Sequence, residues 1–212
     1  MLKVEQMTLG AVATNCYFLI HAETKETILV DPADHADAIL HKAVDEGLLL
    51  KAVFLTHGHG DHIRAVNDLK KEPGIPVYAC EAEDELLQDP NQNLSLALFG
   101  KPITAKADIL VKDGQEIEAA GMRFQVLHTP GHTKGGCCYY QEDAHALFSG
   151  DTLFCCSVGR TDFPGGSMSE IVRSIQEKLL VLPEDTIVYP GHGESSSIGY
   201  ERQYNPYVKG VF

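Results

Sequence analysis

A short apolar run, Ala52-Val53-Phe54-Leu55, opens directly onto Thr56-His57-Gly58-His59-Gly60-Asp61-His62, and this junction limits the folds available to the chain more than any other stretch. The run is short, apolar and partly β-branched, which predicts a buried strand. Three imidazoles and a carboxylate then follow in consecutive alternation with glycine. A polar turn does not need that density of nitrogen and oxygen donors, whereas a metal site does. Side-chain direction repeats every two residues in extended backbone, so His57 and His59 are expected on one side, sharing one ion. Gly58 and Gly60 are expected to relax the backbone where the strand ends, so that Asp61 and His62 come from another direction toward a second ion.

The 212 residues suffice for a single α/β domain or for two tightly packed halves, and we expect one domain over 1–212 made of two β-rich halves. With 44% hydrophobic and 22% charged residues the chain can bury a sizeable core, which excludes a disordered protein. A formal net charge of −13 argues against nucleic acid as a partner, because phosphate-tracking surfaces gather Lys and Arg. Lys3, Glu5, Thr14 and Asn15 interrupt the apolar runs near the N-terminus, so neither a signal peptide nor a membrane span is expected and the cytoplasm is the expected location. The six cysteines lack CxxC spacing, and adjacent pairs in a strand would point to opposite faces; reduced, mostly buried thiols are expected, with Cys155 or Cys156 near the cleft as a minor alternative.

Taken in order, the pattern predicts strands over 3–8, 16–21 and 27–30, an antiparallel opening to a sheet. Asp34 is the expected N-cap of a helix over 36–46 that Gly47 stops. After His62 a short helix is expected to run to about Lys71, then a strand at 77–79 and weak helix at 81–87. The Pro-, Asn- and Gly-containing segment 88–107 reads either as a lid or binding loop or as a plain surface excursion. Strands are expected again at 109–111, 115–118, 122–128, 137–141 and 145–148, then a helix over 167–180 and a strand at 186–189. This layout suggests two β-rich halves with helices packed outside them.

Three further donors each follow an expected strand beside Gly or Pro: His132 in Thr129-Pro130-Gly131-His132-Thr133, Asp151 in Ser149-Gly150-Asp151, and His192 in Pro190-Gly191-His192-Gly193. Five histidines and two aspartates can hold two divalent ions, with His57, His59 and His132 on one, Asp61, His62 and His192 on the other, and Asp151 bridging. His128 and Asp31 are candidates to orient these ligands, a turn-initiating role being the alternative for Asp31. For His21, His35, His41 and His145 surface or satisfied core roles are expected.

The succession HxHxDH, GHT, GD and GHG resembles the metallo-β-lactamase superfamily and spans residues 1 to 194. The resemblance implies an α/β fold, a four-layer αββα sandwich with the metals in a cleft at one edge of the two sheets. Gly159-Arg160-Thr161-Asp162-Phe163-Pro164-Gly165-Gly166 and the tail Gly199-Tyr200-Glu201-Arg202 with Asn205-Pro206 look like the compact glyoxalase II-like (hydroxyacylglutathione hydrolase-like) hydrolases, which lack the C-terminal helical region of longer members. The implied activity is hydrolysis of a small-molecule thioester such as S-lactoylglutathione by a metal-held hydroxide, with Asp61 and Asp151 as catalytic carboxylates. Zinc is the first expectation for the two ions, with iron or manganese as alternatives.

Arg160 is a candidate for an anionic substrate group, with a pair to Asp162 as the competing role, and Phe154 and Phe163 are candidate pocket walls. A mononuclear iron persulfide dioxygenase using His57, His132 and Asp151 is the competing enzyme. A β-lactamase or lactonase, an RNA-processing nuclease, and a binding or sensor module without turnover rank below it.

Overall fold

The computed structural model of the chain describes residues 1–208. The first sheet is built in chain order from β1 (Leu2–Leu9), β2 (Thr14–His21), β3 (Glu26–Val30), β4 (Leu49–Phe54), β5 (Val77–Cys80) and β6 (Ile109–Val111). β1 to β3 pair antiparallel, and β3 to β6 pair parallel. The later strands are β7 (Glu116–Ala119), β8 (Met122–His128), β9 (Cys137–Gln141), β10 (Ala146–Gly150), β11 (Leu153–Phe154), β12 (Ser157–Val158), β13 (Ile187–Pro190) and β14 (Ser196–Ser197). Six of them form the second sheet, ordered β14-β13-β10-β9-β8-β7, while β11 and β12 form a separate ribbon. The helices are α1 (Ala36–Asp45), α2 (Gly60–Ile63), α3 (Val66–Leu69), α4 (Asp84–Gln88), α5 (Ser95–Phe99), α6 (Met168–Ser174) and α7 (Ile198–Tyr204).

The four layers follow from side-chain alternation along the central strands. In β2, Cys16, Phe18 and Ile20 face a cluster containing Ile39 and Ala43 of α1 and Val66 and Leu69 of α3. Their neighbours Tyr17 and Leu19 face the other way, into a core shared with Phe124, Tyr139 and Phe148 of the second sheet. That second sheet turns Cys138, Tyr140, Leu147 and Val188 outward onto Ile171 and Ile175, from α6 and the turn after it, and onto Ile198 of α7. The order is therefore helix, sheet, sheet, helix, the αββα arrangement. Between the sheets Phe54 stacks on Tyr139 at 4.6 Å and meets Phe124 edge-on at 5.3 Å, so truncating Phe54 to alanine is expected to cost about 3–5 kcal/mol.

Element ends show where local chemistry prevailed. Gly47 (φ +65°) ends α1 through Leu48 N–H to Ala43 O at 2.7 Å and Gly47 N–H to Val44 O at 3.2 Å, a Schellman closure. The helix starts differently from expectation. His35, at φ +50°, precedes it with no side-chain cap, and Asp34 instead accepts from His35 N–H and pairs with Arg64 at 2.6 Å. The helix expected from His62 to Lys71 is two short ones, α2 and α3, separated at Arg64-Ala65, where Ala65 N–H turns aside to Pro32 O. In the helix expected over 167–180, Ser167 caps α6 by accepting from Glu170 N–H, and residues 175–179 widen into a π turn closed by Leu180 N–H to Ile175 O. The tail helix α7 was not expected. Its signal was Ser197, whose hydroxyl accepts from Tyr200 N–H, and Gly199 inside it weakened the helical pattern. None of the described helices is long and apolar enough to cross a membrane.

Candidate metal centre

β3, β4, β8, β10 and β13 all end at one edge of the sandwich, and each is followed there by polar residues of one cluster: Asp31, His57 to His62, His132, Asp151 and His192. β2 joins them at its start, where Thr14 bridges to His192 and Asn15 N–H donates to Gly191 O at 2.8 Å. The side chains of Asn15 and Tyr17 both donate to Pro190 O, fixing the loop that carries His192.

The seven expected ligands come together in two groups. The donor atoms of His57, His59 and His132 lie within 4.8 Å of one another, as do those of Asp61, His62 and His192. Asp151 lies between the groups: its Oδ1 is 3.5 Å from His62 Nε2, and its Oδ2 is 3.6 Å from both His132 Nε2 and His192 Nε2. Asp61 Oδ2 sits 3.2 Å from His192 Nε2 and accepts from the Thr14 hydroxyl at 3.1 Å.

Hydrogen bonds on the far side of each ring decide which nitrogen faces inward. Asp31 Oδ2 accepts from His62 Nδ1 at 2.9 Å and from the Thr56 hydroxyl at 2.6 Å, and Asp31 Oδ1 accepts from Thr56 N–H. The Thr56 oxygen in turn accepts from His57 Nδ1 at 3.2 Å. His132 Nδ1 donates to Arg160 O at 2.7 Å. Each of these rings therefore turns its Nε2 toward the cluster. Asp31 orients the His62 ring directly and the His57 ring through Thr56, and so does more than start a turn. His128 does not touch His132; its Nε2 bonds Lys134 O at 2.9 Å, supporting the loop.

The fit to a metal can be tested on the polar atoms themselves. His57 Nε2, His59 Nε2, His62 Nε2 and Asp151 Oδ1 are buried without a hydrogen-bond partner among the described residues. Unpaired buried polar atoms each cost about 1–3 kcal/mol, and four in one place, all from imidazole or carboxylate, fit divalent cations. Electrostatics point the same way. Burial, then His62 and His132, hold the His57 pKa well below its ordinary value, and burial with His132 pushes His59 down to about 3. At His62 burial opposes the charge, yet Asp61, Asp151 and Asp31 raise its pKa to about 10. Burial would raise Asp61, but His62 and His192 outweigh it and keep the carboxylate ionised. Burial thus keeps the His57 and His59 rings neutral, while the acids around His62 favour positive charge there and Asp61 stays ionised.

The glycines act by close approach. Neither Gly58 nor Gly60 adopts a positive φ, contrary to the expected turning role. A Cβ at Gly58 would lie 2.7 Å from Leu86 Cδ2, and one at Gly60 2.9 Å from Ser95 Cα. At Gly191 it would lie 2.2 Å from Asp151 Oδ1, so the floor of the centre admits only glycine. The 88–107 segment is the buttress behind Gly60. Buried Asn93 accepts Gly60 N–H on its carbonyl at 2.7 Å, and its side chain donates to Ile103 O at 2.7 Å.

Glu83 was missed. It is buried, accepting Gly58 N–H on Oε1 and Gly135 N–H on Oε2, each at 2.8 Å, so it ties the His57 loop to the His132 loop. Burial pushes its carboxyl up to about 7. The acid-rich run Glu81-Ala82-Glu83-Asp84-Glu85 gives no local sign that one member turns inward.

Of the candidate substrate residues, Phe163 meets His59 edge-on at 5.6 Å, and Phe154 faces His192 at 6.3 Å, both half-buried. The exposed Arg160 guanidinium is engaged by Asp162 at 2.9 and 2.7 Å and lies 4.3 Å over Phe163, so only its carbonyl touches the cluster.

The chain is 38% identical to the probable metallo-hydrolase YqgX of Bacillus subtilis over 99% of both chains. It is 32% identical to the hydroxyacylglutathione hydrolase GloC of Haemophilus influenzae over 98% of both. Among solved structures, the BLEG-1 B3 metallo-β-lactamase superposes with a TM-score of 0.94 at 41% identity, covering 98% of this chain and 100% of that one. TTHA1623, solved in a di-iron-bound form, superposes at 0.83 with 34% identity, covering 96% and 99%. Residues 9–192, which run from the end of β1 to the last histidine of the cluster, match the model of the metallo-beta-lactamase superfamily, and the chain belongs to that superfamily.

Proposed function

We propose that the chain hydrolyses small S-acyl thiols, with S-lactoylglutathione as the representative substrate. His57, His59 and His132 would hold one divalent ion and Asp61, His62 and His192 another, with the Asp151 carboxylate placed between the two groups. The observation that carries this reading is the position of Asp151, whose oxygens face ring nitrogens of both groups. When bound, such a pair of ions supplies Lewis acidity and lowers the pKa of a water to around 7. Zinc is the proposed metal; the di-iron neighbour supports iron as the alternative.

The chain's own residues supply orientation. Asp61, whose Oδ2 faces His192 Nε2 and accepts from the Thr14 hydroxyl, orients the attacking water. Phe163 walls the His59 side and Phe154 the His192 side, restricting water around the acyl group. A thioester suits the site because thiols have pKa near 8.5, so the thiolate leaves without strong protonation. The similarity to GloC supports this substrate class.

The mononuclear dioxygenase reading uses His57, His132 and Asp151 and leaves the mutual proximity of Asp61, His62 and His192 without a purpose. Hydrolysis of a β-lactam amide is the second reading, favoured by the likeness to BLEG-1. Elemental analysis of the purified protein, paired with turnover of S-lactoylglutathione, glutathione persulfide and a chromogenic cephalosporin, separates the three. Two metals per chain with thioester hydrolysis is the expected result. One iron with oxygen consumption, or cephalosporin turnover exceeding that of the thioester, overturns it.

A further inference from the structure

The ribbon β11–β12 turns through two residues only, Cys155 and Cys156, with Phe154 paired to Ser157 across it. Adjacent cysteines in extended backbone diverge, but these stand in a tight turn, and Cys156 is at φ +52°, a conformation that favours glycine. The turn is held from below by Glu201 of α7. This carboxylate is fully buried; Oε2 accepts from Cys156 N–H at 2.9 Å and from Asn205 Nδ2 at 2.7 Å, and Oε1 accepts from the Ser196 hydroxyl. Three donors leave about one of the four lone-pair sites of a carboxylate free. Both thiol sulfurs and a Glu201 oxygen lie within 4.8 Å of one another. Cys16, Cys80, Cys137 and Cys138 are buried in the cores, so the half-buried pair in the turn holds the accessible thiols.

We infer that Cys155, Cys156 and Glu201 form a second cation site, selective for a soft, thiophilic divalent ion, that cross-links the β11–β12 turn to α7. Sulfur donors select such ions over magnesium or calcium, and the thiolate is the form that ligates. As each sulfur–metal bond forms, the thiol proton passes to solvent, so two thiolates and one carboxylate face a doubly charged ion. The surroundings suit a cation rather than a nucleophilic or redox role: burial, then Glu201, raise the Cys155 pKa to about 11, with Glu194 adding to the effect. A thiol so placed is a weak nucleophile. The site shares no residue with the histidine cluster, so its failure would leave the hydrolase reading untouched.

Cadmium is the probe, added anaerobically to reduced protein whose histidine centre is already loaded with zinc. Thiolate-to-cadmium charge transfer gives an ultraviolet band that imidazole and carboxylate ligands do not. The band is expected to saturate at one cadmium per chain and to disappear in Cys155→Ser and in Cys156→Gly, the latter chosen because glycine favours the backbone at that position. The melting temperature is expected to rise with cadmium in the wild type and not in either variant. No band, a band that survives both substitutions, or conversion of the pair to an internal disulfide by oxidised glutathione without cadmium uptake overturns the inference.

Discussion

The Asp31 carboxylate meets the His62 ring at 2.9 Å with both side chains almost wholly shielded from solvent. Through Thr56 the same carboxylate also sets His57. One buried acid thus orients a ring in each of the two ligand groups, although it stands in neither. Its own φ of +48° is unusual for a residue that is not glycine, and asparagine tolerates that region well. Asp31→Asn is therefore expected to keep the fold while weakening metal retention about 10–100-fold. Metal content after graded dialysis against a chelator, compared with the wild type, checks it; equal retention would show that Asp31 does not hold the rings.

Asp151→Ala removes the carboxylate that faces both ligand groups and is expected to lose metal and activity together. Cys155→Ala, four positions along the chain, is expected to keep activity and the metal of the histidine centre, since Cys155 belongs to neither histidine group. Metal analysis and thioester turnover on the pair of variants test the contrast. Full metal content in Asp151→Ala would refute the bridging role.

Glu83→Gln retains the shape of the side chain but replaces one acceptor oxygen with a donor, so Gly58 N–H or Gly135 N–H loses its partner. A loss of roughly 1–3 kcal/mol is expected from one unsatisfied buried amide. Denaturant unfolding of the metal-free proteins measures it. An unchanged midpoint would mean that the two loops hold their positions without this tie.

Acid sensitivity should depend on Glu5. Lys3 and then Lys42 hydrogen-bond its carboxylate and lower its pKa from 4.5 to about 2. A depressed carboxylate pKa gives stability that is present above the unfolded value and lost as pH falls through the folded one. The difference in melting temperature between wild type and Glu5→Gln should be constant at about pH 6 and shrink toward about pH 2. A difference that grows on acidification would contradict the sign.

The legible parts of this chain were those whose evidence is contiguous. Apolar alternation located β2 and β8 within one or two residues, and a donor beside Gly or Pro at a strand end located His132, Asp151 and His192. Glu83 and Thr14 were not legible, because their roles exist only after β2, the turn before α4 and the loops after β4 and β8 have converged on one edge. Gly58 and Gly60 were singled out for the wrong reason: sequence shows that a side chain is missing, but not which neighbour occupies its place. The Cys155-Cys156 turn was similarly hidden, since the divergence of adjacent side chains holds in a strand and fails where φ becomes positive.

Each histidine group draws two members from the segment after β4, His57 and His59 from the loop or Asp61 and His62 from α2, and its third from the opposite sheet, His132 after β8 or His192 after β13. Neither sheet can complete a set alone. A slip of one residue in either sheet would turn every core side chain to the wrong face and carry the third histidine out of reach. On the proposed ligand assignment, metal stoichiometry at the histidine centre becomes a gauge of register: filling both groups requires the two sheets to be docked in the one alignment that brings them together.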